Sequence, residues 1–87
     1  MAERANMYHI YIIKNKNNKY YTGVTSNIFQ RIRHHNNGAN KFTKNKGPWE
    51  LIYQEDFKDK KLAWKREQQI KKYKGGEAFK KLLNKNY

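Results

Sequence analysis

Two short runs of strand composition, separated by a polar connection, constrain this chain more than anything else in it. Residues 8–13 (Tyr-His-Ile-Tyr-Ile-Ile) and 19–24 (Lys-Tyr-Tyr-Thr-Gly-Val) are rich in β-branched and aromatic side chains. Lys14 to Asn18 between them is polar and Asn-rich. Together they predict a β-hairpin near the N-terminus. Gly23 inside the second run predicts either a bulge or a close backbone approach. Each run carries a tyrosine-bearing triplet, His9-Ile10-Tyr11 and Tyr21-Thr22-Gly23. Alternation puts His9, Tyr11 and Ile13 on one side of the first strand, and a hairpin can set Tyr21 on that same face.

The hairpin is followed by helix signals. Thr25, Ser26 or Asn27 can cap a helix reaching about Asn36, in which Ile28 and Ile32 lie one turn apart with Phe29 beside them. Arg31 and His35 are spaced i, i+4 and share a face of it. Asn36-Asn37-Gly38 ends it. Residues 39–47 form a basic loop with one aromatic, and Pro48 opens a third strand from Trp49 to Glu55. Asp59 is the predicted cap of a helix from Lys60 to Lys74, with an apolar stripe of Leu62, Ala63, Ile70 and Tyr73. Glu67 lies on the buried side of this helix, where a carboxylate without a partner is costly. Gly75-Gly76 breaks the chain before a terminal helix, Glu77 to about Leu83, that packs Phe79, Leu82 and Leu83. The order β-β-α-β-α-α predicts one α+β domain over residues 1–87, with its core over about 7–84 and helices packed on a sheet.

Eighty-seven residues give room for one modest core, and the absence of cysteine removes disulfides and thiolate zinc sites. Stability must come from packing, for which two Trp, four Phe and seven Tyr supply the area. His34 and His35 are adjacent, a poor spacing for chelating one ion. The surplus of 20 Lys and Arg over 7 Asp and Glu, a net +13, points to a polyanionic partner. Charge alone supports only binding, and an AT-rich genome or a ribosomal-type protein gives similar lysine content. Anionic lipid is disfavoured because no basic helix with a broad apolar face is evident. No apolar run approaches the roughly 18–20 residues of a membrane span. Residues 1–6 have no stretch apolar enough for a secretory signal, so a cytoplasmic, reducing setting is expected.

Taken with the two triplets, several segments resemble the GIY-YIG nuclease superfamily, in particular its small stand-alone members of the URI-domain type. His9-Ile10-Tyr11 and Tyr21-Thr22-Gly23 stand where the two triplets fall. Gln30-Arg31-Ile32-Arg33-His34-His35 is similar to the helix with its Arg and, four residues on, its His. Lys65-Arg66-Glu67 is similar to the run bearing the metal-binding Glu, and residues 38–43 and 48–53 also look like the URI-type proteins. The likeness covers about residues 7–84. It departs in two places: His9 replaces the first glycine, and a late Asn of the homing and repair members has only Asn84 as a positional candidate.

The resemblance implies a three-stranded antiparallel sheet flanked by helices, with both tyrosines on neighbouring strands and Arg31, His35 and Glu67 brought in by helices. It implies hydrolysis of DNA phosphodiesters, with Glu67 holding one Mg2+ or Mn2+; the ordinary alternative for Glu67 is an ion pair with a lysine such as Lys71. Tyr11 is the implied general base, its phenol eased by Arg31 or the ion. Tyr21 orients water or contacts phosphate, Arg31 clamps phosphate oxygens, and His35 donates a hydrogen bond or proton near phosphate. For both tyrosines the alternative is a sheet aromatic filling the core. Gly23 lets the backbone pass close to the site. Arg33, Lys41, Phe42, Lys44 and Lys46 could track and stack on a strand, or simply be solvated. DNA is favoured over RNA, with weak or structure-dependent selectivity and no small-molecule cofactor. The rival reading is a non-catalytic basic nucleic-acid-binding module that kept the fold.

Overall fold

The structure is a computed structural model and describes residues 7–38, 40, 43–74 and 76–84. Three strands, β1 (Tyr8–Asn15), β2 (Tyr20–Thr25) and β3 (Trp49–Phe57), form one antiparallel sheet in the order β2-β1-β3. The helices are α1 (Ile28–Asn36), α2 (Lys60–Tyr73) and α3 (Glu77–Asn84). The expected order and sheet are both found.

The hairpin is tied by one side chain. Asn15 Oδ1 accepts from the Asn17 and Lys19 amides at 3.0 and 2.9 Å, and Asn18 takes the left-handed conformation at φ 62°. An asparagine tolerates that region better than a branched residue does. Asn15 Nδ2 also donates to the Lys46 carbonyl, joining the hairpin to the loop before β3. Of the three cap candidates for α1, Asn27 serves, its side chain accepting from the Gln30 amide. Thr25 stands one step earlier and accepts the Asn27 amide. Asp59 caps α2 as expected.

Alternation along β1 builds two cores. Ile10 and Ile12 pack with Tyr53, Ile70, Phe79 and Leu82, which seats α2 and α3 on one face. Tyr11 and Ile13 pack with Ile28 and Trp49, flanked by Tyr21 and Ile32, which seats α1 on the other. Asn36 fixes where β3 starts, accepting from the Trp49 amide at 2.6 Å and donating to its carbonyl at 3.2 Å. Arg66 forks onto Glu55 and so clamps α2 to β3, while Tyr53 donates its hydroxyl to the same carboxylate.

Three apolar residues counted towards packing are in fact exposed. Leu62 is half exposed because, at about 100° per residue, it stands well round the helix from Ala63 and Ile70. Trp64 and Phe29 are also exposed, so part of the aromatic payload lies on the surface. No described helix is long and apolar enough to cross a membrane.

Candidate active site

The β1–β2 register sets Tyr11 opposite Gly23 and Ile13 opposite Tyr21, so both tyrosines share the face that α1 covers. That register is continuous; the irregularity in the sheet falls between β1 and β3, at Ile12/Ile13. Gly23 is therefore a close approach and not a bulge. A Cβ placed on it would come within 2.5 Å of the Tyr11 hydroxyl oxygen and 2.6 Å of the ring carbon bearing it. The Tyr11 ring lies flat over the space that glycine leaves. Gly23→Ala should push the ring aside, lowering stability by about 1–3 kcal/mol as over-packing does. Thermal melting reads the loss, and a melting point equal to that of the native chain would contradict it.

Helix α1 then delivers His35, which is buried and engaged at both ring nitrogens. Its Nε2 lies 2.9 Å from the Tyr11 hydroxyl and its Nδ1 lies 2.8 Å from Thr43 Oγ1. Thr43 is held in turn by Trp49, whose indole N–H donates to its carbonyl at 3.2 Å. The Tyr21 ring packs on His35 with centroids 4.8 Å apart and stands 6.4 Å from the Tyr11 ring. Burial first, then the positive charges of Arg31 and His34, hold the His35 pKa below its ordinary value. The imidazole is thus neutral near pH 7, donating one of its two hydrogen bonds and accepting the other.

Tyr11 is the centre of the cluster. Its phenol is pushed well above the usual tyrosine range, by burial most of all and then by Tyr21. The charge of Arg31 acts to lower it, and that of Glu67 to raise it. The expected easing by Arg31 is present, and burial outweighs it. Arg31 is exposed on α1 one turn before His35. Glu67 comes from α2, the helix seated on the Ile10 and Ile12 face of the sheet, where it packs against β1 and β2.

Glu67 is 9 % exposed, and its Oε2 lies 3.1 Å from Lys71 Nζ, an i, i+4 pair. Among the described residues no group of three or more His, Asp or Glu could hold a metal ion. An ion here would rest on Glu67 alone. A single carboxylate suits only a hard ion that keeps most of its waters, and the half-exposed Lys71 would have to give up its pair with Glu67 to admit one.

The other expected residues are spread out. His34 is exposed. Arg33 sits about 200° round α1 from Arg31 and is not brought to Tyr11. Lys44 and Lys46 are exposed in the turn after Thr43, at the outer end of the Tyr11–His35–Thr43 chain. Lys41 and Phe42 lie outside the described residues. Asn84 ends α3, whose Phe79 and Leu82 pack on the opposite face of the sheet from Tyr11. His9, in place of the first triplet's glycine, bonds to Asp56 on β3 at 2.7 Å. Thr43 is the residue that sequence reasoning missed. Nothing about a threonine in a lysine-rich loop marks it, and only the fold brings it onto His35.

With this geometry in place, the sequence matches the GIY-YIG catalytic domain family over residues 7–81. The chain belongs to the GIY-YIG family. It is similar to the UPF0213 protein of Clostridium perfringens, 46% identical over 67 residues that span 76% of this chain and 72% of that one. The UPF0213 protein YazA of Bacillus subtilis is 38% identical over 68 residues, 77% of this chain and 69% of its own. A solution NMR structure of a UPF0213 protein from Bacillus halodurans superposes with a TM-score of 0.61 at 27% identity, covering 92% of this chain and 85% of that one. Family membership makes this a nuclease-type domain whose substrate class is nucleic acid.

Proposed function

We propose that the chain is a divalent-metal-dependent endonuclease that hydrolyses DNA phosphodiesters with weak or structure-dependent selectivity. The observation that carries this reading is the Tyr11 hydroxyl bonded to a buried neutral His35, with the Tyr21 ring packed on that imidazole. A core tyrosine does not need a buried imidazole on its hydroxyl, itself held by a second hydrogen bond to Thr43.

The chemistry follows from what each group can do. Arg31, a planar and permanently charged fork, binds non-bridging phosphate oxygens and the charge that grows on them. Glu67 would hold one Mg2+ or Mn2+, which when bound neutralises phosphate charge and assists the leaving oxygen. Lys71 leaves Glu67 in that state and turns to the strand. Tyr21 orients the attacking water.

Tyr11 takes the proton from that water. A free phenol near pKa ~10 is ionised about one part in a thousand at pH 7, a shortfall of roughly 4 kcal/mol, and burial here widens it. Tyr11 therefore acts without prior ionisation. As the water O–H breaks and its proton passes to the Tyr11 oxygen, the Tyr11 proton passes to His35 Nε2. In that tautomer Nδ1–H donates to Thr43 Oγ1, which steadies the imidazolium that forms. His35, bonded to the Tyr11 hydroxyl, acts through Tyr11. With both ring nitrogens engaged by Tyr11 and Thr43, its role in this reading is that of proton acceptor.

The Glu67–Lys71 ion pair is the observation that favours the second reading, a non-catalytic basic nucleic-acid-binding module. The pH dependence of nicking separates the two. Single-stranded, duplex and branched DNA, end-labelled, would be incubated with Mg2+ or Mn2+ across pH 5–9. Because His35 must be neutral and is held below 6.5, the rate should rise through a midpoint below that value and then stay level to about pH 9. Strands bound and never nicked at any pH would support the module instead.

A further inference from the structure

A second cleft opens beside the catalytic cluster, on the free edge of the sheet. It has a volume of about 440 Å3 and runs between β2 on one side and the C-terminal half of α2 with Phe79 of α3 on the other. A volume in this range suits a ligand the size of a nucleoside. Its floor is apolar, made by Tyr20, Ile70 and Phe79, and its rim is cationic, with Lys19, Lys71 and Lys74 all exposed. Among the described residues no carboxylate lines it.

Tyr20 is the unusual member. A large aromatic at the start of an edge strand, 45% exposed, is ordinarily free to turn in solvent. Here its ring forms a T-shaped pair with Phe79, with centroids 5.1 Å apart and planes at 75°. That contact restrains the ring where it lines the cleft. An aromatic face held in place and ringed by ammonium groups is what a base with phosphates on either side of it needs.

Two residues, one on the edge strand and one on α2, belong to both the catalytic site and this cleft. Tyr21 lines it and packs on His35; Lys71 lines it and pairs with Glu67. A strand whose phosphate sits at Glu67 and Tyr11 would bring a neighbouring nucleotide to Tyr20. Bases inside a duplex are stacked on both faces and cannot enter, so the occupant must be unpaired or turned out of the helix.

We propose that the cleft between Tyr20, Ile70 and Phe79 is a subsite for one unpaired nucleobase next to the scissile phosphate. This inference rests on the nuclease reading for its position, and it makes single-stranded or locally opened DNA the substrate class. Recognition is by stacking, so any base is accepted. The lysines hold the flanking phosphates and give the binding its salt dependence.

The test compares strands with the same phosphates and different bases. Fluorescein-labelled oligothymidylate, an abasic strand of equal length and a duplex would be titrated in Ca2+ by anisotropy, with cleavage scored separately in Mn2+. Tyr20→Ala should weaken oligothymidylate binding by about 5- to 100-fold, the range for losing one base–aromatic stack. Binding of the abasic strand and the duplex should stay within about twofold, and Tyr20→Phe, which keeps the ring, should match the native chain. A loss shared equally by the abasic strand, or no loss on oligothymidylate, overturns the subsite. Should Tyr20→Ala fail to fold, photocrosslinking of a 5-iodouracil strand to the native chain decides: a cross-link at Tyr20 supports the proposal, and cross-links only elsewhere overturn it. Tyr20-dependent binding without any cleavage would keep the subsite and retire the hydrolytic reading. Cleavage with Tyr20-independent binding would do the reverse.

Discussion

Tyr11→Phe should slow DNA cleavage by about 10²- to 10⁴-fold, the usual effect of losing a positioned general acid or base, with the strand still bound. The substitution keeps the ring over Gly23 and removes only the hydroxyl that carries the proton from water to His35. It also leaves His35 Nε2 buried with no partner, which should lower stability by about 1–3 kcal/mol. The two effects separate in the test. Single-turnover cleavage below the melting range reads the chemistry, and thermal melting reads the orphaned nitrogen. Cleavage within a few-fold of native, in a variant that melts lower, would leave Tyr11 as a core aromatic bonded to a structural histidine.

Glu67→Ala should abolish cleavage while salt-sensitive binding survives. Removing the single carboxylate removes the ion and several kcal/mol of transition-state stabilisation, which at about 1.4 kcal/mol per decade is three or more orders of magnitude. Binding is spread over a net charge of +13 and loses one negative charge, so affinity should hold or rise slightly. The fold should hold too, because the Lys71 partner is half exposed and an i, i+4 pair contributes only about 0.3–0.5 kcal/mol. Filter binding at two salt concentrations beside a cleavage assay checks both halves. A variant that still cuts would take the metal out of the account.

Much of this was legible in the chain because the informative residues act locally. Strand alternation set Tyr11 and Tyr21 on one face, and i, i+4 spacing set Arg31 beside His35, before any packing was known. Asp59 as a cap and Glu67 on the buried side of α2 are likewise consequences of helical period. What escaped depends on contacts between distant segments. His35 looked like a residue for the substrate, and it is turned inward because Thr43, from a loop with no marked pattern, meets its other nitrogen. The lowered phenol expected for Tyr11 weighed only the cations, whereas the weight of the sheet and α1 above the ring dominates. Leu62, assigned to the apolar stripe by spacing, and Trp64, counted with the aromatic payload, both face solvent by their angle on α2. Tyr20 sat one residue from a motif tyrosine and drew no notice, since its neighbour Phe79 belongs to the last helix.

The most direct measurement is a Mn2+ titration of the native chain on a 5′-labelled single strand, with binding and cleavage read from the same tubes. The account predicts saturable cleavage that leaves 5′-phosphate and 3′-hydroxyl ends and stops on addition of excess EDTA, with the strand still bound. Cleavage that persists undiminished in EDTA, or a strand that stays bound and whole at every Mn2+ concentration, would contradict it.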